Sequence, residues 1–169
     1  MVRGDGFHKG TGTDGLDVFS FTTCQDAGCV LVPANTPGRA GGGGKLESEL
    51  AAFTITKGTA VGGTGQFGLD VSYLLGAATP VGTLHFRDKS AGVTVDATAI
   101  DSFTVAGPRA SITGRATVSG VPGVRFFVEL EDLGKAGADT FRIVIGSGYG
   151  AFGVVDKGNI TLTGGLLGP

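Results

Sequence analysis

Val124-Arg125-Phe126-Phe127-Val128-Glu129-Leu130-Glu131 places Val124, Phe126, Val128 and Leu130 on one side of an extended chain. Arg125, Glu129 and Glu131 fall on the other side, with Phe127 among them. A period of two is that of a β-strand with one buried and one wet face. Working outward, Ala110, Ile112, Gly114, Ala116 and Val118 alternate with Ser111, Thr113, Arg115 and Thr117. Phe67, Leu69, Val71 and Tyr73 repeat the pattern, as do Phe141, Ile143 and Ile145, and then Ile160 and Leu162. Between the runs lie turn-forming residues at 76–80, 89–92, 107–108, 120–123 and 134–139. Short strands with a turn after each predict an all-β antiparallel meander, closed as a β-sandwich or barrel. Helical periodicity is nearly absent; only residues 45–52 (KLESELAA), with Leu46 and Leu50 on one face, allow a turn or two of helix.

Composition agrees. Of 169 residues, 33 are glycine and 41% are hydrophobic, with no Gly-X-Y period, so a collagen helix is excluded. Glycine between runs of Val, Thr, Ile and Phe reads as turns and bulges. Charged residues make up 17%, against about 25% in ordinary soluble domains. Net charge is −2, and the thirteen Lys and Arg are scattered singly, which argues against a nucleic-acid partner. No stretch reaches the ~20 apolar residues of a membrane helix, so no membrane insertion is expected. The start, Met1-Val2-Arg3-Gly4-Asp5, has no apolar signal core, which fits either a cytoplasmic chain or a mature one.

Residues 33–44 carry Pro33, Pro37, Gly38 and the run Gly41-Gly42-Gly43-Gly44, and read as a linker. The expected organisation is an N-terminal extension, residues 1–40, and a main β domain, residues 41–169. Gly10-Thr11-Gly12 followed by Gly15-Leu16-Asp17-Val18 recurs as Gly63-Thr64-Gly65 followed by Gly68-Leu69-Asp70-Val71. The likeness predicts at least one strand in the extension, over residues 16–21, packed on the same core.

Candidate chemistry is sparse. Residues 63–68 and 10–15 match GxGxxG, but each leads into an alternating strand, whereas a dinucleotide site needs a helix N-terminus there. Glu131, Asp132 and Asp139 flank a turn and are candidate oxygen ligands for calcium; alternatively Asp132 and Asp139 brace that turn through backbone amides. No other cofactor is expected. Cys24 and Cys29 enclose four residues and are a candidate disulfide, or a pair of free thiols. His8 and His85 are the two histidines; with no GxSxG elbow, a hydrolase triad lacks its parts, and no catalytic residue is assigned. A carboxylate pair drawn from separate strands remains an alternative. Tyr73, Tyr149 and Phe127 are the candidate ligand-contact aromatics, in a chain without tryptophan. Arg3-Gly4-Asp5 and the sequon Asn159-Ile160-Thr161 are short enough to arise by chance.

From Gly41 onward, a series of segments runs Gly41-Gly42-Gly43, residues 67–73 (FGLDVSY), Gly82-Thr83-Leu84-His85-Phe86, Val93-Thr94-Val95 and residues 100–105 (IDSFTV). Residues 110–120, Glu131-Asp132-Leu133-Gly134, residues 139–143 (DTFRI) and Gly158-Asn159-Ile160 complete it. In this order the segments resemble the post-COAP domain family of bacterial secreted and surface proteins over roughly residues 41–163. Residues 45–64 and the first forty have no counterpart. The resemblance implies an extracellular or cell-surface β module and no catalytic residues. The expected function is a non-catalytic structural or interaction role, self-assembling or bound to a host surface protein. The alternatives are a ligand- or glycan-binding domain and a carboxylate-dependent hydrolase.

Overall fold

Each run that alternates in the sequence is a strand. The computed structural model describes residues 19–20, 32–33, 35–46, 53–56, 59–62, 64–134 and 138–164. The chain divides into two compact units, Met1–Pro33 and Ala34–Pro169. In the first, β1 (Phe19–Ser20) pairs antiparallel with β2 (Val32–Pro33). β1 falls within the strand expected over residues 16–21; the remainder of that segment lies outside the described residues.

The second unit begins with β3 (Gly38–Leu46), β4 (Phe53–Thr56), β5 (Thr59–Gly62), β6 (Gln66–Tyr73) and β7 (Val81–Asp88). It continues through β8 (Val93–Ala106), β9 (Arg109–Val118), β10 (Val121–Glu131), β11 (Thr140–Ile145) and β12 (Gly150–Gly164). β6 to β12 form an antiparallel meander, and β3 joins β12 to β6. The eight strands close into a barrel rather than a sandwich, because β12 pairs with β11 on one side and β3 on the other. The β4–β5 hairpin lies beside β12 at Gly150, Ala151 and Phe152. No helix occurs among the described residues; Lys45 and Leu46 of the helix candidate belong to β3, and residues 47–52 lie outside the description.

The glycine run is not a linker. It lies within β3, with Gly42 opposite Ile160 of β12 and Leu69 of β6. Gly42 has φ +145°, and a Cβ there would sit 2.2 Å from the carbonyl oxygen of Asn159. At Gly42, Gly43 and Gly44 the neighbouring strands leave little or no room for a side chain, and the bare stretch Gly41-Gly42-Gly43-Gly44 hides the period of the strand from the sequence.

Inward residues fill the barrel. Phe86, Phe103, Phe141, Ile112, Ile143, Ile145, Val95, Val105 and Val128 are fully buried. Phe67 and Phe86 face each other across β6 and β7, and Phe141 of β11 stacks on both, with ring centroids 4.1 and 5.8 Å away. Each such side chain stabilises the fold by about 1.5–3 kcal/mol through burial. Gly114 faces the Phe126 ring: a Cβ there would lie 2.7 Å from the ring and 2.2 Å from the Ala99 carbonyl oxygen. Large residues thus meet small ones across the interior, as a narrow barrel requires.

β8 breaks its alternation twice, with register shifts between Ala97 and Ala99 and between Ile100 and Ser102. Each shift moves one residue out of the period, so Val95, Ile100, Phe103 and Val105 all point inward. Beyond the shifts, Asn35 and Thr36 lie along the edge of β8. Thr36 donates its amide to the Phe103 carbonyl at 3.0 Å, and Asn35 Oδ1 accepts from the Phe103 amide at 2.8 Å. The Thr36 hydroxyl also bonds both backbone groups of Val105.

Candidate functional site

The β10–β11 turn holds the three carboxylates singled out in the sequence. Asp139 is fully buried. Its Oδ1 accepts from the Leu133 amide at 3.0 Å and its Oδ2 from the Ile160 amide at 2.7 Å. Asp132 accepts from the amides of Gly134 and Leu162, each at 2.9 Å. Glu131 accepts from Arg109 Nε at 2.8 Å and from the Thr140 hydroxyl at 3.1 Å. All six carboxylate oxygens therefore face donors, and two of the side chains tie the turn to β12. This is the bracing geometry; among the described residues, no three His, Cys, Asp or Glu side chains form a group able to hold a metal ion.

The aromatic candidates separate. Tyr149 is inside: it is 5% exposed, tilts against Phe86 at 6.1 Å and donates its hydroxyl to Asp88 Oδ2 at 2.9 Å. It belongs to the core and does not line a ligand surface. Its period with Ala151 and Val155, both buried, carried that signal. Tyr73 is half-buried, and its hydroxyl donates to the Ala77 carbonyl at 3.0 Å, closing the β6–β7 turn. Phe127 is half-buried on the outer face, between Thr113 of β9 and Val144 of β11. The structure does not bring the three rings together. Cys24, Cys29 and His8 lie outside the described residues.

Asp88 carries no signal in the sequence and is 1% exposed. Its Oδ1 accepts from the Ser90 amide, the Ser90 hydroxyl and the Ala91 amide at 2.9, 2.6 and 3.1 Å. With the Tyr149 bond, it fastens the β7–β8 turn to the start of β12.

On the outer face, His85 Nδ1 meets Asp96 Oδ1 at 2.6 Å across β7 and β8. Three other outward carboxylates pair with arginine: Asp70 with Arg39 at 2.7 Å, Glu129 with Arg142 at 2.7 Å, and Asp101 with Arg115 at 3.8 Å. Two hydrogen bonds from Arg39 hold the Asp70 carboxyl below its ordinary range, although both groups are exposed.

Two further features are open to solvent. The first is an edge. β7 pairs with β8 over residues 85–88, whereas residues 81–84 pair with β6 alone and have no ladder partner on their other side among the described residues. Next to that edge, Leu74, Leu75 and Val81 are 72%, 86% and 62% exposed. The second, at the opposite end of β7, is a cavity of about 190 Å³ lined by Lys45, Thr64, Gln66, Arg87 and Lys89. Neither was visible in the sequence, since both depend on the register of β3, β6, β7 and β8.

In comparisons with known proteins, no family model, curated protein or solved structure matches the chain.

Proposed function

We propose that the chain is a non-catalytic β module with a structural or interaction role outside the cell, and that it associates with a second copy of itself through the edge of β7. The observation that carries this reading is the unpaired edge at residues 81–84 beside exposed Leu74, Leu75 and Val81. An open edge offers a row of backbone donors and acceptors to another strand. An edge paired antiparallel with its own copy also satisfies the two-fold symmetry of most homodimers. The filled barrel supports a role exercised on the outer surface, because the inward positions are taken by packed apolar side chains. The extracellular setting rests on the resemblance to the post-COAP domains.

Sedimentation velocity over a wide concentration range tests the proposal. The expected result is a monomer–dimer equilibrium that the double variant Leu75→Lys/Val81→Lys abolishes, while its circular dichroism and melting stay those of the parent. A parent chain that remains monomeric throughout, or a variant that dimerises as well as the parent, refutes the edge-pairing reading.

A further inference from the structure

We propose that the cavity at the far end of β7 binds a tetrahedral oxyanion, a phosphate or sulfate group. The ladder places Lys157, Lys45, Gln66, Arg87 and Thr94 in one row across β12, β3, β6, β7 and β8. Directly opposed residues on one face of a sheet have Cβ atoms about 4.5–5.5 Å apart, and like charges so placed repel. Lys45 and Lys157 are such a pair. Arg87 follows one strand beyond Gln66, and Lys89 lies two residues further along the chain.

Arg39, Arg109, Arg115 and Arg142 each face a carboxylate. Lys45, Arg87, Lys89 and Lys157 have no ion pair among the described residues. Cations gathered without counter-charges raise the local potential and attract an anion. The neutral lining has matching chemistry, since Gln66 brings an amide N–H and Thr64 a hydroxyl, both donors. Arginine presents a planar fork suited to two oxygens of one oxyanion, and lysine acts as a point charge. The volume of about 190 Å³ far exceeds the ~10–15 Å³ that holds one water. A single ionised carboxylate would leave several of these donors unused; a tetrahedral oxyanion presents oxygens to more of them.

The inference goes beyond the edge-pairing reading and is independent of it, because the cavity and the open edge lie at opposite ends of β7. The test is an NMR titration of the full chain at low ionic strength with inorganic phosphate, inorganic sulfate, a sulfated disaccharide and, as reference, chloride at equal ionic strength. Saturable shifts confined to the amides around residues 45, 64–66 and 87–89 are expected with at least one of the three oxyanions and not with chloride. Tighter binding of the disaccharide than of inorganic sulfate assigns the site to an esterified group; equal binding assigns it to the free ion. Arg87→Gln is expected to weaken binding at least tenfold. Arg125→Gln, which removes a cation on β10 outside the cavity, is expected to leave it unchanged. Shifts no larger than those with chloride, or equal losses in the two variants, would overturn the proposal.

Discussion

Replacing Asp139 with alanine tests the bracing of the β10–β11 turn. The side chain is fully buried and receives two backbone amides, those of Leu133 and Ile160. A hydrogen bond to a charged group contributes about 1.5–3 kcal/mol, and a buried donor left without an acceptor costs about 1–3 kcal/mol. Leu133 is 51% exposed, so its amide can turn to water; Ile160 is fully buried and its amide cannot. The loss concentrates at Ile160, and the alanine variant is expected to be destabilised by about 2–4 kcal/mol. With a urea slope of about 2 kcal/mol per molar, the unfolding midpoint falls by about 1–2 M. Asp139→Asn keeps one acceptor oxygen and turns an NH₂ toward the other amide, so about half the effect is expected. Equilibrium urea unfolding followed by circular dichroism measures both, with calcium absent and present. A midpoint for the alanine variant within about 0.3 M of the parent refutes the brace. A parent midpoint that rises with calcium, while the variant's does not, would instead make the carboxylate a cation ligand.

Phe141→Ala removes the ring stacked on Phe67 and Phe86 and is expected to cost about 3–5 kcal/mol in the same urea measurement; a loss under 1 kcal/mol would mean that the interior is loosely packed. Gly114→Ala sets a methyl group against the Ala99 carbonyl and the Phe126 ring, and is expected to destabilise by about 1–3 kcal/mol even though alanine suits a strand better than glycine. An unchanged melting temperature would show that β8 and β9 yield without strain. The Asp70 carboxyl, held low by hydrogen bonds from Arg39, contributes stability that is present above its unfolded-state pKa and lost as pH falls through the lower folded-state value. Exposure of both partners keeps that contribution small and sensitive to salt. An NMR titration of Asp70 is expected to show its midpoint rising in Arg39→Gln; a midpoint that does not move excludes the arginine as the cause.

The strands that were legible in the sequence are those whose inward positions carry side chains at an unbroken period. β6, β9, β10 and β11 declare themselves through Phe67 to Val71, Ala110 to Val118, Phe126 to Leu130 and Phe141 to Ile145. β3 was not legible because a strand of glycines has no period and resembles a linker. β8 escaped because its two register shifts each displace the pattern by one residue. The choice of barrel over sandwich depends on β3 meeting β12, a pairing that no local pattern encodes. At the candidate sites, turn chemistry offered bracing by Asp132 and Asp139 beside the calcium reading, whereas their bonds to the Ile160 and Leu162 amides depend on where β12 lies and were not readable. Tyr149 is a core ring rather than a ligand contact, and its period with Ala151 and Val155, interrupted by Gly153 alone, is the inward one. The cationic row was unreadable, since its members come from separate strands and meet through register.

The seam between β3 and β12 sets the order in which this barrel can be completed. The hairpins from β6 to β12 bring together residues close in sequence and can zip as they are made. β3 can pair early with β6, but its ladder to β12 must wait, because Gly38 lies opposite Gly164 and Leu46 opposite Val155, and closing that loop restrains more than about a hundred residues at once. During synthesis from the N-terminus, the glycine strand leaves the ribosome long before β12 exists. A β12-facing edge whose centre is the four glycines Gly41 to Gly44 is well suited to that interval, because it exposes little apolar surface that would draw in a wrong neighbour.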